Sequence, residues 1–516
     1  MSKLIFDIEC NGLYQEATKV WCICIKDAVS EDTPEDTPER PQEPVRAYFD
    51  ITPTMGIELR ESRLGTLREG LRYLQEADIL VGHNIINYDL PVLKKLLDWE
   101  PNYETTHIHD TLVLSRLLNP DRTRPSGYTG KGGPHSLEAW GYRTSKSKPH
   151  HEEWDVFSSA MLRRCIEDVE INYLTDLALE LEVVGWDWGE AIKLEHSIAK
   201  IITDQEHFGV TFDKKRAIEC IDYLTDKIDL IDKEVIPKLP HKVKQRGATV
   251  LSPFTMKGEY TKKYREDISY CDGPFTRIDF ISFEVGSIPQ VKKYLLDNGW
   301  IPDEWNYSKK TGERSSPKLE GDFKGVTGNL PQQIKKRIIL RHRRSQIEGW
   351  IRAIRLDGKI GAIANPCGTN TGRMRHSVIV NVPKANSYSE GNLIWEVDEQ
   401  RDFFGTQMRS LFIVPKRHYK MVGYDAKGLE LRILAHYMND LEFTKEILDG
   451  DIHTYNQRAA GLPTRDAAKT FIYAFIYGAG DAKLGSIVGG DRSDGSRIRK
   501  KFLKALPRLD DLVKRT

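Results

Sequence analysis

Arg465, Lys469, Tyr473 and Tyr477 recur at intervals of four residues within a segment, Thr464 to Gly478, whose remaining positions include Ala467, Ala468, Phe471, Ile472 and Phe475. At about 3.6 residues per turn, that interval draws one slowly drifting stripe, so the spacing predicts a helix presenting two cations and then two aromatic rings along one side. An ordinary amphipathic helix puts apolar residues on such a stripe. Cations on the first turns suit a triphosphate, because the amide groups at that end add their own positive field. Tyr473, one turn later, is placed to pack on a base or sugar. Thr464 is the expected N-cap, and Gly478-Ala479-Gly480 the expected end.

The rest of the chain is ordinary globular material. It has 516 residues, 39% hydrophobic and 29% charged, enough for three or four domains of about 150 residues each and unlike any fibrous or disordered composition. Mean hydropathy is −0.50, and no apolar run approaches the ~20 residues that cross a bilayer. Met1-Ser2-Lys3 runs into Leu4-Ile5-Phe6-Asp7 without a signal-peptide pattern. The expectation is a soluble protein of the cytoplasm with no membrane partner. Seven cysteines without a C-x-x-C pattern fit a reducing compartment and offer no zinc site. Formal net charge is zero, yet residues 1–110 hold 11 Lys and Arg against 21 Asp and Glu, which leaves the remainder basic by the same excess. Acidic pockets suit divalent cations, and basic surfaces suit phosphate backbones.

Residues 4–9 and 20–25 read as β runs separated by the turn signal Asn11-Gly12. Residues 31–44, with four prolines and six acids, read as an insertion without chemistry. Helical periods at 64–77, 90–97 and 161–181 alternate with a strand at 79–82, which predicts an α/β first domain. Two long helices, 194–238 and 334–354, enclose a loop-rich stretch. The second carries Lys335, Lys336, Arg337, Arg341, Arg343, Arg344, Arg352 and Arg355 in its neighbourhood against the single acid Glu348. That bias favours nucleic acid over a merely solvated face. Further on, a β run at 420–425 and a tight Ala426-Lys427-Gly428 turn precede a helix at 429–438.

Two groups of acids carry candidate chemistry. In Asp7-Ile8-Glu9, strand alternation puts both carboxylates on one side. Asp89 precedes a helix and Asp168 lies within another, so four acids from three segments can converge on two divalent cations that activate a water and neutralise a phosphate and its leaving oxygen. Near residue 425, the Asp425 carboxylate beside the Ala426 carbonyl makes a hard oxygen site suited to Mg²⁺ carried by a triphosphate. Glu430 follows on the first helical turn, where an acid also complements the helix dipole.

The first-domain residues Asp7-Ile8-Glu9, His83-Asn84, Tyr88-Asp89, Asp110-Thr111-Leu112 and His135 through Gly141 resemble the DEDD 3′-to-5′ exonucleases that proofread for DNA polymerases. That family places Tyr or His four residues before its last acid; this chain has Arg164 there, which puts water positioning in question. Residues 465–478, with Asp451-Ile452-His453-Thr454, Thr371-Gly372-Arg373 and Arg409, resemble the family A DNA polymerases, and among them the podovirus replicative type. The resemblance spans almost the whole chain. It implies an α/β and α+β multidomain fold: a ribonuclease H-like exonuclease (1–190), then a right hand with thumb (191–350), the N-terminal part of the palm (351–450) and incomplete fingers (451–516).

Carried over by position, the resemblance implies that Arg465, Lys469 and His453 hold the β and γ phosphates of a dNTP. Tyr473 and Tyr477 would shape the nascent base pair, and Glu430 would exclude a ribose 2′-OH. Arg373 and Arg409 would touch primer-template DNA, to which the charge bias of the basic helix adds Lys335, Lys336, Arg337 and Arg341. Asp425 and Ala426 would bind Mg²⁺, as would Asp7, Glu9, Asp89 and Asp168 in the exonuclease. It also implies a processivity factor or helicase as partner, and the cytoplasm of an infected bacterium as the setting. The family carries a second palm carboxylate in a His-Asp-Glu sequence, which is absent from these 516 residues. The expectation is therefore the larger piece of a split polymerase, incompetent for synthesis until a second chain supplies that motif. The alternatives are a stand-alone 3′-to-5′ exonuclease and a DNA-binding subunit.

Overall fold

In the computed structural model the residues described are 1–28, 44–54, 60, 63–262, 273–302, 305–307, 314–319, 323–369, 371–383 and 404–515. They fall into two compact units, Met1–Tyr419 and Lys420–Thr516. Apart from Pro44, the stretch expected as an acidic insertion lies outside the described residues, and so does Cys271.

The first unit opens with β1 (Lys3–Cys10), β2 (Val20–Ala28), β3 (Arg46–Tyr48), β4 (Leu64–Gly65), α1 (Leu67–Gln75), β5 (Ile79–Gly82), α2 (Asp89–Leu97), β6 (His107–Asp110), α3 (Thr111–Leu118), α4 (Leu137–Arg143) and α5 (Ser159–Val183). The six strands form one sheet in the order β4-β3-β2-β1-β5-β6, with β1 antiparallel to β2 and parallel to β5. Both faces of β1 are buried. Leu4, Phe6 and Ile8 join Leu74, Leu90 and Leu93, while Ile5 packs in the opposite cluster with Met161, Cys165 and Val169 of α5. Asp7 and Glu9 share the Ile5 register, so period two brings both carboxylates to α5. The helix expected from Leu64 starts later: Leu64 pairs with Ala47 as a strand residue, and Thr66 forms a capping box with Glu69.

α6 (Gly189–Phe208), β7 (Val210–Phe212) and α7 (Lys214–Val235) follow. The unbroken helix expected over 194–238 is thus two helices. Gly209 adopts φ 66°, left-handed backbone that glycine tolerates, and Val210-Thr211-Phe212 then enters a three-stranded sheet. The tip contains β8 (Lys242–Gln245), β9 (Ile278–Ile281), α8 (Ile288–Asp297), β10 (Trp305–Tyr307) and β11 (Arg314–Pro317), and α9 (Leu330–Arg352) returns from it. Cys220, Leu224, Ile228 and Ile231 of α7 share a core with Ile334, Leu340, Ile347 and Trp350 of α9. β12 (Lys359–Ile360), β13 (Ala364–Asn365), β14 (Arg375–His376), α10 (Gly405–Arg409) and β15 (Phe412–Ile413) complete the unit. β12 and β15 flank β7, and β13 pairs with β14 as a hairpin.

The second unit is helical among its described residues: α11 (Leu429–Met438), α12 (Leu441–Leu448), α13 (Ile452–Ala460), α14 (Arg465–Ile476), α15 (Asp481–Ser486), α16 (Arg492–Ala505) and α17 (Pro507–Arg515). Leu431, Met438, Phe443, Phe471, Ile472, Leu484 and Phe502 are core residues there. Gly485 and Gly495 let α15 and α16 cross closely, because a Cβ at either would strike the carbonyl of Asp491 or of Asp481. The strand expected at 420–425 does not form. These residues are exposed coil, and among the described residues no strand pairs with them, so their backbone groups remain with water.

Candidate active sites

Asp7 and Glu9 of β1 and Asp168 of α5 bring carboxylate oxygens within 4.8 Å of one another. Asp89, the first residue of α2, stands beside them and accepts a hydrogen bond from the Ile8 amide at 3.2 Å. The loop leading to Asp89 is fixed by Asp110, whose carboxylate accepts from the amides of Asn84 (3.0 Å) and Ile86 (3.1 Å) while capping α3 through Leu112 (2.9 Å). Burial, reinforced by mutual repulsion, makes the four acids hold their protons unusually tightly. Glu9 is pushed up to about 8 and Asp89 to about 7. Asp7 is raised well above the usual carboxylate range, and Asp168 is raised by burial despite nearby cations.

Of those cations, Arg164 occupies the position at which the resemblance leads one to expect Tyr or His, whereas Lys148 was not legible as a site residue. Lys148 Nζ lies 2.5 Å from Asp168 Oδ2. Arg164 Nε lies 3.4 Å from Glu9 Oε1 and 3.9 Å from Asp168 Oδ2. The Arg164 guanidinium is held in place by the Pro149 carbonyl at 2.9 Å and by the Trp154 ring, 5.2 Å to its centroid. Asp168 Oδ1 is buried with no hydrogen-bond partner among the described residues. An orphaned carboxylate oxygen inside a cluster of mutually repelling acids is what a divalent cation would satisfy, so the donor set fits one. Asp7 also lines a cavity of about 670 Å³, together with Lys148.

In the second unit the face of α14 that carries the stripe is turned outward. Arg465, Lys469 and Tyr477 are exposed and Tyr473 is half-buried, whereas Ala468, Phe471 and Ile472 on the opposite side are buried. Thr464 caps the helix by accepting from the Ala467 amide at 3.1 Å. Arg465 pairs with Asp451, Nε to Oδ2 at 2.7 Å and Nη2 to Oδ1 at 3.1 Å. Lys469 makes no hydrogen bond or ion pair among the described residues. His453, on the first turn of α13, has its ring 6.2 Å from that of Tyr473. Burial, and then the Arg465 charge, lower its pKa, and its Nδ1 has no partner among the described residues. Tyr477 Oη donates to Glu430 Oε1 at 2.9 Å. Asp425 and Ala426 lie in the exposed coil just before α11.

The residues expected to touch DNA divide. Arg337 makes a two-pronged contact with Asp232 of α7, through Nε to Oδ1 and through Nη2 to Oδ2 at 2.7 Å. It therefore clamps α9 to α7 and is not a free surface cation. Arg341 donates to the Gly286 carbonyl at 3.0 Å. Arg409 donates to the carbonyls of Pro383 at 2.7 Å and Val382 at 3.3 Å. Lys335 and Lys336 are half-buried, and Arg373 is exposed.

A match to DNA polymerase family A spans residues 256–516. The DNA-directed DNA polymerase of Escherichia phage T7 is 30% identical over 98% of this chain and 80% of its own length. The DNA-directed DNA polymerase of Escherichia phage Phieco32 is 28% identical over 62% of this chain and 78% of its own. Among solved structures, the POL domain of Pol1 from M. smegmatis, in complex with DNA primer-template and dNTP, superposes with a TM-score of 0.60 at 14% identity, covering 99% of this chain and 74% of that one. No helix among the described residues is long and apolar enough to cross a membrane.

Proposed function

The chain belongs to DNA polymerase family A, whose activity is DNA-directed DNA synthesis, and from that premise we propose that it extends a primer during phage genome replication and trims mismatched 3′ ends. The observation that carries the synthetic role is the outward face of α14, with Arg465 and Lys469 exposed over a buried Ala468-Phe471-Ile472 side. In this reading Lys469, Arg465 and His453 take the β and γ phosphates. Arg465 exchanges Asp451 for phosphate, an exchange open to it because the pair is solvent-exposed and weak. Tyr473 packs under the base pair, and the Glu430 carboxylate, held by Tyr477, closes the space beside the sugar. Arg373 touches the primer-template.

Asp425 and the Ala426 carbonyl are the residues that would hold Mg²⁺ on the triphosphate. Bound there, the cation supplies charge neutralisation for in-line displacement. Chemistry of this kind would call for a further carboxylate beside Asp425. The 516 residues have no His-Asp-Glu sequence, so in this reading the second carboxylate is supplied by residues outside them.

For trimming, Asp7, Glu9, Asp89 and Asp168 would hold two cations that activate water. Arg164 stands where the family's tyrosine would be, and with Lys148 it balances the charge of the acids. The domain reading remains exonuclease over 1–190, thumb over 191–350, palm over 351–450 and fingers over 451–516. Primer extension and 3′ trimming on one labelled primer-template test the proposal. Trimming is expected from the chain with Mg²⁺ alone, and extension once a polypeptide carrying His-Asp-Glu is added. Trimming without extension under both conditions supports the stand-alone exonuclease instead.

A further inference from the structure

The cavity beside the acid cluster has two walls. Asp7, His83, Arg116, His135 and Lys148 form one, and Asn365, Gly368 and Arg375 of the β13-β14 hairpin form the other. The hairpin packs against α6, and its Cys367 side chain is buried. Gly368 keeps its turn closed, since a Cβ there would collide with Arg375 and with the Asn365 carbonyl. Arg116 differs from comparably buried arginines of the same unit. Arg122 is paired with Glu182 at 2.6 Å, Arg143 donates to the Pro134 carbonyl at 2.8 Å and Arg355 to Asp357 at 2.9 Å. Arg116 is half-buried in α3 with no hydrogen bond or ion pair among the described residues. Its guanidinium lines the cavity, where donors that no protein acceptor fills are available to a ligand.

That ligand is anionic. His83 and His135, which line the same wall, are pulled down by burial to about 3 and about 4, so both are neutral near pH 7. Lys148 is already committed to Asp168. A volume of about 670 Å³ falls within the ~300–1,000 Å³ of small-ligand sites. It admits the terminal nucleotides of one strand.

We propose that Arg116, faced by Arg375 across the cleft, binds an internucleotide phosphate of a single DNA strand whose 3′ end reaches Asp7. The proposal rests on the exonuclease reading above. It makes Arg116 a binding residue for the frayed primer, in a cleft whose second wall comes from outside the exonuclease sheet.

The test uses the full 516-residue chain with Ca²⁺ in place of Mg²⁺. Its probe is a 5′-labelled single-stranded oligonucleotide, unmodified or carrying one neutral methylphosphonate at each of the last few linkages in turn. Wild type should show one linkage at which neutralisation weakens binding about tenfold, the scale of a charge-assisted hydrogen bond. Arg116→Met should bind the unmodified strand about tenfold more weakly, lose sensitivity at that linkage only, and melt no lower than wild type. Arg116→Lys should recover part of the affinity.

Unchanged affinity in Arg116→Met, an unchanged linkage pattern, or a lowered melting temperature would each overturn the proposal, the last by showing a structural arginine. Absence of Mg²⁺-dependent trimming by wild type would sink the exonuclease reading and leave the binding result for Arg116 to be judged by itself.

Discussion

The hydroxyl of Tyr477, the last ring of the α14 stripe, donates a 2.9 Å hydrogen bond to Glu430 on the first turn of α11. One end of the proposed nucleotide-binding face is thereby tied to the helix that follows Asp425. If Glu430 closes the space beside the sugar, the bond fixes where its carboxylate stands. Tyr477→Phe should then lower the preference for deoxyribonucleotides over ribonucleotides by about tenfold, the scale of one hydrogen bond to a charged group. Glu430→Ala should lower it further. Competitive incorporation of dATP and ATP measures the ratio; an unchanged ratio in both variants assigns Glu430 to the helix dipole alone.

Asp7→Ala combined with Glu9→Ala should abolish release of nucleotides from a labelled 3′ end while leaving primer extension intact, because the acid cluster and α14 lie in different compact units. Persistent trimming would locate hydrolysis elsewhere.

The same acids impose a pH dependence on stability. Glu9 is raised from 4.5 to about 8 and Asp89 from 3.8 to about 7, so the folded chain holds protons that the unfolded chain releases. Their contribution is full below the unfolded carboxyl values and is lost progressively as pH rises from those values to about 7 to 8, where the loss is complete. In chelator, the melting temperature should fall across that window, and saturating Mg²⁺ should raise it most at the alkaline end. Asp7→Asn with Glu9→Gln should flatten both trends. A melting temperature that rises with pH in chelator, or a Mg²⁺ effect independent of pH, contradicts this.

Lys148 Nζ, 2.5 Å from Asp168, lowers the proton affinity of the cluster. Lys148→Met should therefore move the ascending limb of the trimming rate to higher pH, whereas a lysine serving only the fold would lower the rate at every pH alike.

Arg337 and Asp232 join α9 to α7 with side chains 12% and 20% exposed. Arg337→Ala should destabilise the first unit by about 1–3 kcal/mol, the cost of leaving a partly buried partner unsatisfied. Asp232→Asn should do the same. Primer-template affinity, once folding is corrected for, should change little; a large affinity loss at normal stability would return Arg337 to the DNA-contacting set.

What was legible beforehand was whatever a short period encodes. Alternation put Asp7 and Glu9 on one side of β1, and the four-residue interval put Arg465, Lys469 and Tyr473 on one side of α14. Lys148, Arg116 and the hairpin carrying Arg375 come to the cavity lined by Asp7 from segments with no shared period, so only the fold brings them together. Charge counting read Arg337 as a DNA contact because its acid partner lies 105 residues away. The apolar run at 420–425 read as a strand by composition, but a strand also needs a neighbour, and among the described residues none is there.

The central claim is that Lys469 holds the phosphates of the incoming nucleotide. Single-nucleotide incorporation, with the His-Asp-Glu-bearing polypeptide present, measures it directly. Lys469→Ala should lower kcat/KM for the dNTP by about tenfold or more while the Kd for primer-template stays within about twofold, and Lys469→Arg should restore part of the loss. Incorporation by Lys469→Ala at the wild-type rate and KM would contradict the account.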